Sequence, residues 1–111
     1  MQELDAINNS IEHSKNAIKA AEAVKRLKAN PDFKALIIDG YLRDYAAELV
    51  QSKAAMHMQD EKAQMFIDRQ IAGIGAVTQY LDMMLTSGVT AEAALESQEE
   101  ERIHLINSED F

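Results

Sequence analysis

The segment from Asn30 to Val50, NPDFKALIIDGYLRDYAAELV, constrains the fold of this chain more than any other. It contains the only proline of the 111 residues and half of the six aromatic residues. Asn30 followed by Pro31 predicts a helix N-cap with proline at the first helical position. Three aromatic residues then follow at helical spacing, namely Phe33, Tyr41 and Tyr45. The segment therefore predicts a sharp bend that leads directly into a packed amphipathic helix.

The rest of the composition also favours helices. Only four glycines and one proline occur, too few for a sheet protein with many tight turns, and 47% of the residues are hydrophobic. The length suits one domain, residues 1–111. Without cysteine there are no disulfides and no thiolate metal sites. The start MQELDAINNS lacks the features of a signal peptide, so we expect synthesis in a reducing cytoplasm. No apolar run approaches the roughly 20 residues of a membrane span.

Charge is distributed unevenly along the chain. Residues 1–58 hold eight acidic and eight basic residues, whereas residues 59–111 hold eleven acidic and three basic residues, which gives the net charge of -8. An acidic half repels phosphate backbones, so nucleic acid is not expected as the main partner. Six basic residues between 15 and 34 form a local basic stretch. It is interpreted as a solvated helix face that pairs with acids, and DNA contact is the alternative.

The first predicted helix spans residues 2–29. Its narrow apolar stripe includes Ile7, Ile11 and Ile18 at helical spacing. Such a helix is about 42 Å long, against a radius of gyration of about 13 Å for a compact domain of this size. Part of it is therefore expected to project and to pack on another copy of the chain. These isoleucines are predicted packing residues.

The second predicted helix begins at Pro31 and ends near Ala55. Phe33, Ile37 and Tyr41 belong to an apolar face broad enough to be buried on more than one side. Gly40 costs about 1 kcal/mol relative to alanine in a helix. Close approach of another helix is the expected compensation at Gly40, and a hinge is the alternative.

The third predicted helix is capped by Asp60 and reaches about residue 87. Its apolar residues are Phe66, Ile67, Ile71, Ile74, Val77, Leu81, Met84 and Leu85. Gly73 and Gly75 are expected to admit a close helix neighbour. Residues 31–87 are predicted to form a central antiparallel helical hairpin, which a glycine C-cap at Ser87-Gly88 ends.

A fourth helix is predicted within residues 90–111, capped by Thr90 and followed by a tail. Its apolar stripe is thin, and glutamates interrupt it. The expected docking residues are Leu95, Glu99, Glu100, Glu101, Ile103 and Ile106. This helix is either peripheral or ordered fully only on a partner. The predicted fold is therefore all-α, an elongated helical bundle with a long N-terminal helix, the central hairpin and a peripheral acidic C-terminal helix.

Motifs for catalysis and for metal binding are weak. Glu101 and His104 form only one of the two Glu-x-x-His pairs that a di-iron bundle needs. Residues 56–58, Met-His-Met, do not enclose a metal, and residues 73–75, Gly-Ile-Gly, lack the third glycine of a dinucleotide-binding turn. We therefore expect no enzyme activity, no cofactor and no metal. The methionines are interpreted mainly as core residues, and an adaptable binding surface is the alternative.

Residues 24–85 resemble a group of short helical proteins encoded among the virion-structure genes of tailed bacteriophages. The resemblance rests on residues 27–33, LKANPDF, on residues 38–41, IDGY, and on Ile71-x-x-Ile74-Gly75 followed by Tyr80-Leu81. It covers slightly over half of the chain. Residues 56–59 depart from the pattern, because a more turn-like Asp-Pro sequence is expected there.

The resemblance implies a virion or head-assembly protein that is repeated in a ring or lattice. The expected function is a non-enzymatic structural subunit, a homo-oligomer at the head, portal or neck that contacts other virion proteins. Its expected location is the virion, after synthesis in the host bacterial cytoplasm. The alternative is a small acidic phage module that binds a host or packaging protein and is not retained in the particle.

Overall fold

The computed structural model describes residues 2–109, and within this range every regular element is a helix. The elements are α1 (Gln2–Ala29), α2 (Pro31–Phe33), a π-helical segment (Lys34–Tyr45), α3 (Ala46–Ala54), a 3-10 turn (Met56–Met58) and α4 (Glu61–Glu109). The all-α prediction is confirmed. Residues 110 and 111 of the predicted C-terminal tail lie outside the described residues.

The chain divides into two compact units. The terminal unit comprises Met1–Lys25 and Met83–Phe111, and the central unit comprises Arg26–Asp82. The first contains most of α1 with the second half of α4. The other contains the helices from α2 to the first half of α4. The expectation of one domain stays a prediction.

Local signals set the bend between the first two helices, as predicted. The Asn30 side-chain oxygen accepts hydrogen bonds at 3.0 Å from the backbone N–H groups of Asp32 and Phe33. Pro31 occupies the first helical position. These contacts satisfy N–H groups that have no partner within the helix, so one asparagine both ends α1 and starts the next helix.

The start of α4 also follows the prediction. The Asp60 carboxylate accepts a hydrogen bond at 3.2 Å from the backbone N–H of Ala63. In the first turn of α4, the side chain of Gln64 donates to the carbonyl oxygens of Lys53 and Met58, at 3.0 and 2.8 Å. The short connection is therefore fixed at both ends by side-chain hydrogen bonds.

The second predicted helix is helical over its whole length, but most of it is not α-helical. Residues Lys34–Tyr45 form twelve residues of π-helix, in which backbone hydrogen bonds span five residues instead of four. Such helices usually consist of a single turn. The sequence pattern predicts a helix from Pro31 to about Ala55, which the structure has, but it does not indicate the π-helical form of residues Lys34–Tyr45.

The predicted break between a third and a fourth helix is also wrong. α4 continues without interruption from Glu61 to Glu109, through Ser87, Gly88 and Thr90. No residue of the range 2–109 has a positive φ, so Gly88 does not adopt the left-handed conformation of a glycine C-cap. Its lack of a side chain serves helix packing instead.

In the terminal unit, α1 and the second half of α4 pack closely in opposite directions. A Cβ atom at Gly88 would lie 2.3 Å from the Ala21 Cβ atom, so the two backbones meet at this point. Seven residues earlier in α1, the buried Ser14 hydroxyl donates a 2.9 Å hydrogen bond to the side-chain oxygen of Gln98. Ala91 is also buried. Residues 90–106 are therefore part of this unit. The expectation that they are peripheral, or ordered fully only on a partner, stays a prediction.

The core of the central unit is small. Leu49 of α3 packs with Ile67 and Ile74 of α4, and these three are its buried hydrophobic side chains. Six half-buried residues surround them: Tyr41, Leu42, Tyr45, Ala46, Met58 and Ile71. An ion pair between Lys53 and Asp68 lies at the margin. A single layer of side chains thus joins α3 to the first half of α4 in this unit.

Candidate interaction surfaces

The outer side of the π-helical segment carries a row of ion pairs. Lys34 Nζ lies 2.8 Å from Asp39 Oδ2, Asp39 Oδ1 lies 3.7 Å from an Arg43 guanidinium nitrogen, and Arg43 Nε lies 3.0 Å from Asp44 Oδ1. Residues five apart lie about 140° from each other around an α-helix. The wider π-helical turn brings Lys34 and Asp39 to the same side.

These contacts change the acidity of two groups. The hydrogen bond from Lys34, together with the positive charges of Lys34 and Arg43, lowers the pKa of Asp39. The hydrogen bond to Asp44, with the negative charges of Asp44 and Asp39, raises the pKa of Arg43. The contribution of Asp39 to stability is present above its usual pKa and is lost as the pH falls through its lowered value. The groups are solvent-accessible, so this contribution is small.

Lys34→Gln is expected to raise the pKa of Asp39 toward its usual value, because the charged hydrogen bond is lost. A pH titration of the Asp39 carboxyl carbon by NMR measures this change. Arg43→Gln is the matched control and should raise the pKa less, since Arg43 acts only through its charge at 3.7 Å. An unchanged Asp39 pKa in Lys34→Gln would indicate an α-helical Lys34–Tyr45 segment, in which the two side chains do not meet.

The inner side of the π-helical segment is aromatic. The rings of Tyr41 and Tyr45 stack with centroids 6.1 Å apart and planes 20° from parallel. The Tyr41 hydroxyl lies 3.9 Å from the position that a Cβ atom at Gly73 would occupy. Gly73 thus leaves room for an aromatic side chain of its own unit. Tyr41 and Gly73 are both predicted packing residues, and the structure brings them together.

No other helix of the described chain comes within 4 Å of the Cβ positions of Gly40 and Gly75. A Cβ atom at Gly40 would meet only the backbone of Ala35, five residues earlier in the same helix, with the oxygen at 3.0 Å. A Cβ atom at Gly75 would have no atom within 4 Å. The expected close approach of another helix at these glycines is therefore not found within the chain. An approach by another chain stays a prediction.

The other predicted packing residues lie in different environments. Ile7 and Ile11 are buried in the terminal unit, and Ile18 is half-buried. Phe33 and Ile37 are half-buried in the central unit. The roles of these side chains in contacts between copies stay predictions.

The central unit exposes many large apolar side chains. They are Leu27, Leu36, Val50, Met56, Met65, Phe66, Val77 and Tyr80. Phe66 and Tyr80 are more than half exposed, at 55% and 57%. The helical spacing predicts Phe66 and Val77 on the same apolar face as Ile67, but of these three only Ile67 is buried, with 1% exposure. These exposed residues are the main candidate interaction residues of this unit.

The predicted docking residues of the C-terminal segment are distributed around the second half of α4. Leu95 and Glu99 are half-buried, whereas Glu100, Glu101, Ile103 and Ile106 are exposed. Glu101 lines a shallow open depression with Glu3, Ala6, Ile7 and Ser10 of α1. Two carboxylates beside an apolar side chain and a hydroxyl group suit a polar protein contact. Docking at these residues stays a prediction.

Within the described part of the chain, the candidate metal-binding residues are not joined by further metal ligands. Among the side chains of residues 2–108, no three His, Asp or Glu groups lie closely enough together to hold a metal ion. Glu101 and His104 are both exposed, and Met56 in the 3-10 turn is 93% exposed. No helix in the same range has both the length and the apolar character of a membrane span.

Comparison of the chain with protein-family models, with curated proteins and with solved structures finds no match.

Proposed function

We propose that this chain is a non-enzymatic helical subunit that associates with copies of itself. The observation that carries the proposal is the balance of apolar side chains in the central unit, where three are buried and eight large ones are exposed. Exposed apolar groups cluster at interaction sites, since water contact with them is unfavourable. A second chain that covers them would complete the core that one chain lacks.

In this proposal the π-helical segment and α3 form an antiparallel hairpin with the first half of α4. The ion pair between Lys53 and Asp68, near the connection, and the contact between Tyr41 and Gly73, further from it, support this arrangement. One side of each helix then packs in the hairpin, and the other side is available to another chain. The predicted interface glycines Gly40 and Gly75 lie on such available backbone.

We further propose that the subunit belongs to the particle of a tailed bacteriophage, at the head, portal or neck, and is made in the host cytoplasm. The resemblance of residues 24–85 to virion-structure proteins supports this placement, and a self-associating helical subunit is suited to a ring or lattice. The portal, capsid or neck proteins are the proposed partners, without a membrane and without nucleic acid as the main ligand.

Mass spectrometry of purified particles tests the placement. A structural subunit is expected in several copies per particle. The number of copies should be unchanged after a high-salt wash, because apolar contacts are not weakened by charge screening. Purified particles that lack the chain, although infected cells contain it, would contradict a structural role.

The second candidate function is a small acidic module that covers a basic surface of a host or packaging protein. The exposed glutamates of the terminal unit favour it, in particular Glu92, Glu96, Glu100 and Glu101. Such contacts weaken as salt screens the charges. Particles without the chain, together with a salt-sensitive complex in the lysate, would support this alternative.

A further inference from the structure

The π-helical segment continues into α-helix at both ends without a break. Lys34, at its start, has φ -58° and ψ -50°, and Ala46, directly after it, has φ -59° and ψ -43°. These are ordinary right-handed helical angles. In the π form each N–H group bonds to the carbonyl five residues earlier, and in the α form to the carbonyl four residues earlier. A change from π to α therefore needs no new cap and no interruption of the helix.

The π form keeps a row of apolar side chains together. Four half-buried residues are spaced by four, namely Phe33, Ile37, Tyr41 and Tyr45. In an α-helix each step of four turns the side chain by about 40°, so the first and the last of them would lie about 120° apart. The π turn is wider, so four residues complete nearly one turn. The row therefore stays on one side of the helix in the π form.

The α form would change the position of Phe33. Tyr41 and Tyr45 pack against the core of the central unit, and their rings stack on each other. If these two side chains keep their places, the α form turns Phe33 away from their side by about a third of a turn. Phe33 lies directly after the bend at Asn30 and Pro31. A half-buried aromatic ring would thus become exposed beside this bend.

Two features favour the π form over the α form. Lys34 Nζ lies 2.8 Å from Asp39 Oδ2, at a spacing of five that places side chains about 140° apart in an α-helix. A Cβ atom at Gly40 would lie 3.0 Å from the carbonyl oxygen of Ala35, closer than the 3.4–4 Å of ordinary contact. The π pattern directs the Gly40 N–H group to this same carbonyl, five residues earlier. Glycine leaves the π form unhindered at this position.

We propose that the π-helical segment, Lys34–Tyr45, is a two-state element with the π form at rest and an α form in which Phe33 is exposed. The contact between Lys34 and Asp39 and the missing side chain at Gly40 hold the π form. A partner that binds the exposed Phe33 ring selects the α form, since a ligand favours the state that it binds better. The proposal goes beyond self-association, because it concerns a single chain.

Couplings across hydrogen bonds, measured by NMR on the isotope-labelled full chain, identify the carbonyl partner of each N–H group. The amide of residue 40 is expected to couple to the Ala35 carbonyl in the unmodified chain and to the Leu36 carbonyl in Gly40→Ala. The reason is that the added Cβ atom presses on the Ala35 oxygen in the π form. A soluble paramagnetic agent should also broaden the Phe33 ring signals more strongly in Gly40→Ala. Gly75→Ala is the control, since a Cβ atom there has no neighbour within 4 Å, and it should change neither result.

A second variant changes the preference without adding a Cβ atom at Gly40. Lys34→Ala combined with Ala35→Lys moves the positive charge from five to four residues before Asp39, and both substituted positions are exposed. It removes a contact that the π form makes and offers one at the α-helical spacing. Relaxation dispersion, which detects minor states, should show the α form in the unmodified chain. The double substitution should raise its population by about two-fold, the effect of one exposed ion pair.

A folded Gly40→Ala protein that keeps the coupling to the Ala35 carbonyl would overturn the proposal. A coupling to the Leu36 carbonyl in the unmodified chain would overturn it as well, because the segment would then be α-helical at rest. Couplings of the α type in Gly40→Ala without greater exposure of Phe33 would contradict the role given to this ring. If Gly40→Ala does not fold, the double substitution decides, and an unchanged population of the α form there overturns the two-state element.

Discussion

Gly88→Ala is expected to lower the free energy of unfolding by about 1 to 3 kcal/mol, the usual cost of overpacking. The added Cβ atom would lie 2.3 Å from the Ala21 Cβ atom, which belongs to a rigid side chain and cannot rotate away. α1 and α4 would have to separate at their closest point. Helix propensity alone predicts the opposite sign, a gain of about 1 kcal/mol. Urea unfolding followed by circular dichroism, at fixed protein concentration, measures the change.

Gly75→Ala is the matched control, since it makes the same substitution in the same helix. Within the chain itself a Cβ atom there has no neighbour within 4 Å, so at concentrations at which the chain is monomeric this variant should gain about 0.5 to 1 kcal/mol. Ala21→Gly combined with Gly88→Ala removes the clash and should restore much of the lost stability. Equal stabilisation by Gly88→Ala and Gly75→Ala would show that α1 does not pack on α4 at Gly88.

The parts of the fold that the sequence predicts correctly depend on short-range chemistry. The Asn30 cap needs only two backbone N–H groups within three residues, and proline at the first helical position needs no distant partner. The bounds of α1 and the cap at Asp60 follow in the same way. Such signals are complete within a few residues of the sequence.

Gly88 shows where short-range reasoning fails. Serine followed by glycine is a common end of a helix, but the residue that decides the outcome is Ala21, distant in sequence. One feature of the sequence nevertheless indicates that the helix continues past residue 87. Gly88, Ala91 and Leu95 continue the spacing of Leu81 and Leu85, so the stripe of inward-facing positions does not stop at residue 87. Two of its members are small because another helix lies against them.

The π-helical segment has no comparable signature in the sequence. Its apolar residues also fit an α-helical pattern, and no propensity rule distinguishes the two forms. The one visible sign is the opposite charge of Lys34 and Asp39 at a spacing of five, which only the wider turn can use. A single such pair is too common to predict a π-helix.

The candidate surface could be predicted only in part. Periodicity placed Phe66 and Val77 on the same broad apolar face as Ile67, and it could not divide that face between the core and the surface. The division depends on where α3 lies against α4. Leu49 covers Ile67 and Ile74, and Phe66, one residue earlier than Ile67, remains uncovered.

Sedimentation equilibrium of the unmodified chain tests the central claim, self-association, most directly. We expect a mass of at least twice the 12.4 kDa of one chain at high loading, decreasing on dilution. Concentrations from about 10 µM to about 500 µM cover dissociation constants in the micromolar range, where weak self-association is detected. Association should persist in high salt, since apolar contacts carry it. A mass of one chain at every concentration, in low and high salt, would contradict the account.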